Sequence, residues 1–284
     1  EEENDDFLVG FHGQTIYHNS KEKISMQLGD GKLLSQLTKK KIIFNFRKND
    51  ILNGGEGAPL TPIFHQLLAT QKKIKLPVCI LNIGGISNVT VVKEYIGSQE
   101  IFSKDIGPGN CLIDTWVRKN SNARFDINGQ LASLGKKNEI IFEQAQELFS
   151  NRKNKNKTSF DTNDFDISFS RGLSLEDGVT TLTDFTASVI AESLLSFLKK
   201  KKDVNNILIC GGGRKNKYLM DNINKNLPKK NQLKLIDDYG INGDFVEAQA
   251  FAFLAIRTYK NLPISFPTTT NCKIPSVGGV VIEN

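Results

Sequence analysis

Two short runs of nearly unbroken apolar residues, each ending in consecutive glycines, constrain the fold of this chain most. Leu76 to Ile83 reads LPVCILNI and stops at Gly84-Gly85; Ile207 to Cys210 stops at Gly211-Gly212-Gly213. A strand apolar on both faces belongs inside a sheet covered on both sides. Glycine turns at the ends of such strands are where α/β proteins place binding crevices. A third, shorter run, Phe7 to Gly10, leads into Gly10-Phe11-His12-Gly13. The pattern predicts an α/β protein with ligand-binding loops at strand ends.

Two helices follow from periodicity. Between Asp184 and Lys202, Phe185, Val189, Ile190, Leu194, Phe197 and Leu198 share one face, and Thr181 stands three residues ahead as part of a loose capping box. Between Val246 and Tyr259, Val246, Ala250, Phe253 and Leu254 repeat the pattern, with Asp244 and Glu247 at the end where the helix dipole favours negative charge. The polar, basic stretch Asn151 to Asn156 reads as a loop.

Composition removes several function classes. With 39% hydrophobic and 24% charged residues the chain is neither a disordered tail nor a coiled coil. No run reaches the roughly 18 uninterrupted apolar residues of a membrane span, so no membrane association is expected. The net charge is +6, and the lysine runs at Lys39 to Lys41 and Lys199 to Lys202 lack interleaved aromatics, so nucleic acid is not expected as a partner. Cys79, Cys111, Cys210 and Cys272 have no C-x-x-C spacing, and His12, His18 and His65 have no metal-ligand spacing. No structural metal and a reducing, cytoplasmic setting are expected.

Several motifs carry groups suited to chemistry. His12-Gly13-Gln14-Thr15 either caps a turn or hydrogen-bonds a polar ligand. Arg47 stands ahead of Gly54-Gly55-Glu56-Gly57, where glycines permit close approach to a ligand and the guanidinium can present a fork to a carboxylate; otherwise it is a surface arginine. Asn82-Ile83-Gly84-Gly85 either closes a plain hairpin or turns its amides toward an anion. Asp105 precedes the stiff turn Gly107-Pro108-Gly109-Asn110, where it either caps the turn or serves as a general base. Gly211-Gly212-Gly213, followed by Asn216, is not a G-x-G-x-x-G fingerprint, but a bare glycine surface accepts a flat ring such as adenosine.

Taken in order, the segments GFHGQT (Gly10 to Thr15), Phe46-Arg47, GGEGAPL (Gly54 to Leu60), LNIGGISNV (Leu81 to Val89), DIGPGN (Asp105 to Asn110), TTLTDFTA (Thr180 to Ala187), GGGRKN (Gly211 to Asn216) and EAQAFAFLA (Glu247 to Ala255) resemble the anhydro-N-acetylmuramic acid kinase family. That family belongs to the sugar kinase and actin superfamily. The resemblance implies an actin-like (ribonuclease H-like) two-domain fold with mixed sheets flanked by helices. It implies a phosphotransferase that uses ATP and Mg²⁺ on 1,6-anhydro-N-acetylmuramic acid in cell-wall recycling. Asp105 would be the catalytic base. Arg47, Glu247 and His12 would bind sugar. Asn82, Gly84, Gly85, Gly107, Gly109 and Asn110 would serve the nucleotide phosphates, and Gly211, Gly212, Gly213 and Asn216 the adenosine. A homodimer is compatible with this reading.

The chain departs from the family pattern at Asn45, where an Asp is usual, and at Glu56, where a Gln is usual. It also lacks the Gly-Thr-Ser-x-Asp-Gly segment of the family's first phosphate loop. The resulting expectation is an incomplete first domain, residues 1–45 plus 268–284, and a complete second domain, residues 46–267. A chain so truncated is expected to be nearly inactive alone, and the alternative reading is a non-catalytic muropeptide-binding remnant of the kinase.

Overall fold

The computed structural model describes residues 7–95, 97, 100–151, 160–201 and 204–283. The described residues open with strands β1 (Leu8–Phe11), β2 (Gln14–Asn19) and β3 (Ile24–Leu28), helix α1 (Gly31–Thr38) and strand β4 (Lys41–Phe44). Helices α2 (Lys48–Leu52) and α3 (Pro62–Gln71) follow, then strands β5 (Val78–Ile83), β6 (Ile86–Val92) and β7 (Ile101–Pro108). Next come helices α4 (Cys111–Asn120), α5 (Gln130–Leu134), α6 (Glu139–Ser150) and α7 (Leu175–Lys199). Strand β8 (Asn206–Cys210), helix α8 (Lys217–Asn226), strand β9 (Leu233–Leu235), helices α9 (Val246–Tyr259) and α10 (Pro267–Thr270) and strand β10 (Val280–Ile282) complete the order. The α/β class with mixed sheets is therefore the observed one.

The chain divides into two compact units, and it passes between them several times. Unit 1 comprises Glu1–Ile74, Val92–Ser103 and Phe245–Asn284; unit 2 comprises Lys75–Val91 and Lys104–Asp244. The boundary expected at residue 45 is not where the chain divides. Phe46, Leu60 and Ile63 share one buried core with Ile43, Phe251, Leu254, Ala255, Ile264 and Phe266, so residues on both sides of position 45 fold together. A core that draws on chain segments two hundred residues apart leaves no local signal of its boundary.

In unit 1, β1 and β10 flank β4, β1 parallel to it and β10 antiparallel. Helix α9 lies close on β1: a Cβ at Gly10 would stand 2.4 Å from the Phe251 carbonyl oxygen. The antiparallel pair β2–β3 forms a separate hairpin. Asp30 caps α1, its Oδ1 accepting from the amides of Lys32 and Leu33.

Unit 2 is built on a five-stranded sheet of order β7-β6-β5-β8-β9, in which β5, β8 and β9 run parallel. Cys79, Leu81, Ile83, Ile207 and Ile209 are buried, as the apolar runs require. Helix α7 serves two cores at once. Its Ala187, Ile190, Ala191 and Leu194 pack with the sheet strands, while Val179, Leu182, Phe185 and Val189 pack with α4 and the segments around Phe165. This helix is long and apolar enough to span a membrane by length and composition, but its apolar window is mostly buried within the fold.

Helix α7 starts nine residues before the position that periodicity alone suggests. The cap is Ser174, whose Oγ accepts from the Asp177 amide at 3.1 Å, and not Thr181. Thr181 is interior: its hydroxyl donates to the Asp177 carbonyl at 2.7 Å and accepts from the Asn138 amide at 3.0 Å. Thr180 and Thr183 likewise bond back to carbonyls four residues earlier, which lets buried hydroxyls sit within a helix. Helix α9 spans the predicted residues. Of the predicted loop Asn151 to Asn156, residues 152–156 lie outside the described residues; Asn151 closes α6.

Candidate functional site

Two groups of candidate residues form, one in each unit. In unit 1 they lie on the segments that follow β1 and β4. Arg47 donates through Nε to Nε2 of His12 at 3.0 Å and through Nη1 to the Gly57 carbonyl at 2.7 Å. The other ring nitrogen of His12 lies 2.7 Å from the Gly13 carbonyl. A carbonyl only accepts, so Nδ1 carries the proton and Nε2 receives the arginine. Burial and then the Arg47 charge push the His12 pKa down to about 3, so the ring stays neutral. Its ring packs against Phe251 of α9 in a tilted arrangement, with centroids 4.1 Å apart and planes 32° apart.

Asp50, on α2, organises the neighbouring glycine loop. It is 1% exposed; Oδ2 accepts from the Gly57 amide at 2.7 Å and Oδ1 from the Thr270 hydroxyl at 2.7 Å. Gly55 packs so tightly on this carboxylate that a Cβ there would come within 2.2 Å of Oδ2. Hydrogen bonds thus run without a break from Thr270 through Asp50, Gly57, Arg47 and His12 to Gly13. Asp50 is a residue that motif reading missed. The available signal was an acid three residues after Arg47 and just ahead of a glycine-rich segment that needs an acceptor for its amides.

The two-bond grip of Arg47 on a ligand carboxylate changes in this light, because Nε and Nη1 are already engaged within the protein. Glu247 lies exposed in the first turn of α9, one turn before Phe251 and on the same side of the helix. Glu56 accepts from Asn271 Nδ2 through Oε1 at 3.1 Å, and its backbone carbonyl lies 2.8 Å from His18 Nε2.

In unit 2 the candidates gather at the ends of β5, β7 and β8. Asp105 belongs to β7 itself, which runs on through Gly107 to Pro108, so the expected stiff turn begins later, at Gly109. The Asp105 side chain is 6% exposed, and its Oδ2 accepts from the Phe160 amide at 2.8 Å. Beyond it, two loops are laced together. The Asn110 amide and its Nδ2 donate to the Gly84 carbonyl at 2.8 and 2.9 Å, and the Gly109 amide donates to the Gly85 carbonyl at 2.9 Å. Gly109 is glycine for a steric reason, since a Cβ would stand 2.3 Å from the Gly84 oxygen. The amides of Gly109 and Asn110 are thus spent between the loops; of the segment expected to turn its amides toward an anion, the Gly84 amide donates to the Ile86 carbonyl at 3.3 Å. Gly107 is buried against Val189.

The triple glycine follows β8. Gly211 has φ +82°, and a Cβ there would lie 2.4 Å from Asn82 Oδ1; at Gly213 it would lie 2.3 Å from the Ile83 side chain. At Gly212 it would meet nothing within 4 Å, and this residue is exposed. Two glycines therefore seat the loop on the end of β5 and the middle one faces open space. Asn216 caps α8, its Oδ1 accepting from the Leu219 amide at 3.0 Å, so its side-chain oxygen has a structural task.

The sequence profile of the anhydro-N-acetylmuramic acid kinase family matches residues 2–284. The anhydro-N-acetylmuramic acid kinase of Pelagibacter ubique is 55% identical over 278 residues, covering 98% of this chain and 74% of that protein. The kinases of Zymomonas mobilis and Methylobacterium nodulans are 40% and 37% identical and are covered to 72% and 71% of their length by 96% of this chain. Among solved structures, the activator of the 2-hydroxyisocaproyl-CoA dehydratase from Clostridium difficile with bound ADPNP matches at a TM-score of 0.42 and 14% identity, over 69% of this chain and 67% of that one. The family profile over nearly the whole sequence, and close relatives matched over most of theirs, settle the assignment: this chain belongs to the anhydro-N-acetylmuramic acid kinase family of kinases.

Proposed function

We propose that this protein opens the 1,6-anhydro bridge of anhydro-N-acetylmuramic acid while transferring the γ-phosphoryl group of ATP to the freed O6. Water attacks the anomeric carbon, the C1–O6 bond breaks, O6 takes the phosphoryl group, and ADP leaves. The water proton passes to Asp105. The products are N-acetylmuramic acid 6-phosphate and ADP, a reaction suited to reuse of cell-wall sugars. The observation that carries this reading is Asp105: a buried carboxylate within β7, three residues before the strand's last residue, whose Oδ2 accepts from the Phe160 amide. Water is a weak nucleophile, and a positioned base contributes roughly 10²–10⁴-fold.

Arg47, His12 and Glu247 are assigned to the sugar. Asn82, Gly84, Gly85, Gly107, Gly109 and Asn110 are assigned to the phosphate side of the nucleotide, and Gly211 to Gly213 with Asn216 to adenosine. Among the described residues no group of three or more His, Cys, Asp or Glu side chains is gathered as a metal cage. Mg²⁺ is assigned to the nucleotide phosphates, whose charge it would neutralise. The four cysteines are free, which suits a reducing, cytoplasmic setting.

The test is incubation of the complete gene product with ATP and the anhydro sugar in ¹⁸O-labelled water, with prompt mass spectrometry. Label at the anomeric hydroxyl of a sugar phosphate is expected. Label in inorganic phosphate alone, or sugar binding without turnover, would overturn the assignment; the second result is what a non-catalytic binder gives.

A further inference from the structure

We propose that Arg214 is a positioning residue for the nucleotide, a strut that holds the Gly211–Gly213 loop in the shape that receives the base. The inference rests on the reading of that loop as the adenosine site. Arg214 follows the loop directly, yet its side chain is only 6% exposed. Its guanidinium ties three chain segments together. Nε and Nη2 donate to Oδ2 and Oδ1 of Asp237 at 2.8 and 3.1 Å, a two-bond fork. Nη1 donates to Asp244 Oδ1 at 2.8 Å and to the Gly211 carbonyl at 3.0 Å. Asp237 also accepts from the Gly243 amide at 3.3 Å through Oδ1, and Gly243 lies so close that a Cβ would stand 2.5 Å from Arg214 Nε.

The consequence for the loop is that it is held from two sides. The end of β5 abuts Gly211 and Gly213, and Arg214 holds the Gly211 carbonyl. What remains facing outward is Gly212, with nothing within 4 Å of where a side chain would begin. A flat ring needs that surface to be both bare and fixed. Gly211 at φ +82° lies in a region glycine samples freely, so the glycines alone do not define one loop shape. Main-chain amides already reach the loop, Arg214 N to the Gly211 carbonyl at 3.3 Å and Asn216 N to the Gly213 carbonyl at 3.0 Å; the guanidinium adds a tie to Asp237 and Asp244, and its fork explains why lysine would not replace it, since an ammonium has no planar pair of donors to hold Asp237 while reaching Gly211.

The experiment compares wild-type complete gene product with Arg214→Met, Arg214→Lys and Asp237→Asn by calorimetry, using adenosine, a non-hydrolysable ATP analogue and tripolyphosphate. Both Arg214 variants should weaken adenosine and the analogue by about ten-fold or more, the scale of one charge-assisted hydrogen bond, with tripolyphosphate unchanged. Asp237→Asn retains the bond to Gly211 and should give a smaller loss, and it serves if the Arg214 variants fold poorly. Adenosine affinity equal to wild type, even with a lowered melting temperature, would overturn the strut, as would an equal loss for tripolyphosphate. Wild-type protein that binds no adenosine or analogue would overturn the adenosine reading beneath it.

Discussion

Arg47 and His12 form a single hydrogen-bonded unit, Nε to Nε2 at 3.0 Å, and so cannot be treated as two independent sugar contacts. The ring can accept this bond because it is neutral, and it is neutral because it is buried beside the guanidinium. Arg47→Lys breaks the unit, since one ammonium cannot hold His12 and the Gly57 carbonyl in the planar geometry that both require. Sugar affinity should fall by roughly 1.5–3 kcal/mol, about ten- to a hundred-fold. An unchanged sugar dissociation constant by calorimetry would refute the assignment.

Asp105→Asn keeps an oxygen to accept from the Phe160 amide, so the local structure survives. It removes the carboxylate that takes a proton. Turnover should fall by orders of magnitude, roughly 10²–10⁴-fold, with ATP affinity and melting temperature nearly unchanged. Steady-state kinetics at saturating substrates decide the matter, and wild-type turnover in the variant would remove Asp105 from the base role.

The strands and glycine loops of unit 2 were legible in the sequence because a fully buried strand announces itself locally, as LPVCILNI does before Gly84. Helix α9 was legible for the same reason. The start of α7 was not, because its first turns carry Thr180, Thr181 and Thr183, which read as capping or loop residues until their hydroxyls are seen to bond back to the helix. The division into units was also hidden, since Phe46 and Phe266 meet in one core across most of the chain. In the site, resemblance named Arg47 and Asp105, but no motif announced that Arg47 is engaged by His12 or that Asp50 holds Gly57. Those relationships depend on contacts among segments, including Asp50 with Thr270, that sequence spacing does not encode.

The cap at Ser174 gives a direct check on where α7 begins. Ser174→Ala removes the acceptor for the Asp177 amide and should cost about 1 kcal/mol of stability. Ser174→Asp should retain most of it, because aspartate also caps and suits the helix dipole. Urea unfolding midpoints of the three proteins measure this. Equal midpoints for wild type and the alanine variant would place the helix start elsewhere.

Asp114 supplies a prediction of opposite sign, a substitution that stabilises. It lies in the first turn of α4, where a negative charge is ordinarily favoured. Burial outweighs this and raises its pKa from 3.8 to about 6; Arg118 one turn on pulls it down, and Asp126 adds to the rise. With the folded pKa above the unfolded one, the folded state holds the extra proton between about pH 4 and 6. Stability must therefore decline as pH rises through that window, and the full penalty is present at pH 7. Partial exposure of the side chain screens the penalty, and the expected effect is about 1–2 kcal/mol. Asp114→Asn removes the charge and should raise the denaturant midpoint at pH 7 by that amount. Near pH 3.5 the folded carboxyl is protonated and the unfolded one about two-thirds so, so most of the difference between the two proteins should be gone. A variant less stable than wild type at pH 7, or a difference that persists unchanged to pH 3.5, would show that burial of this charge is not what limits stability there.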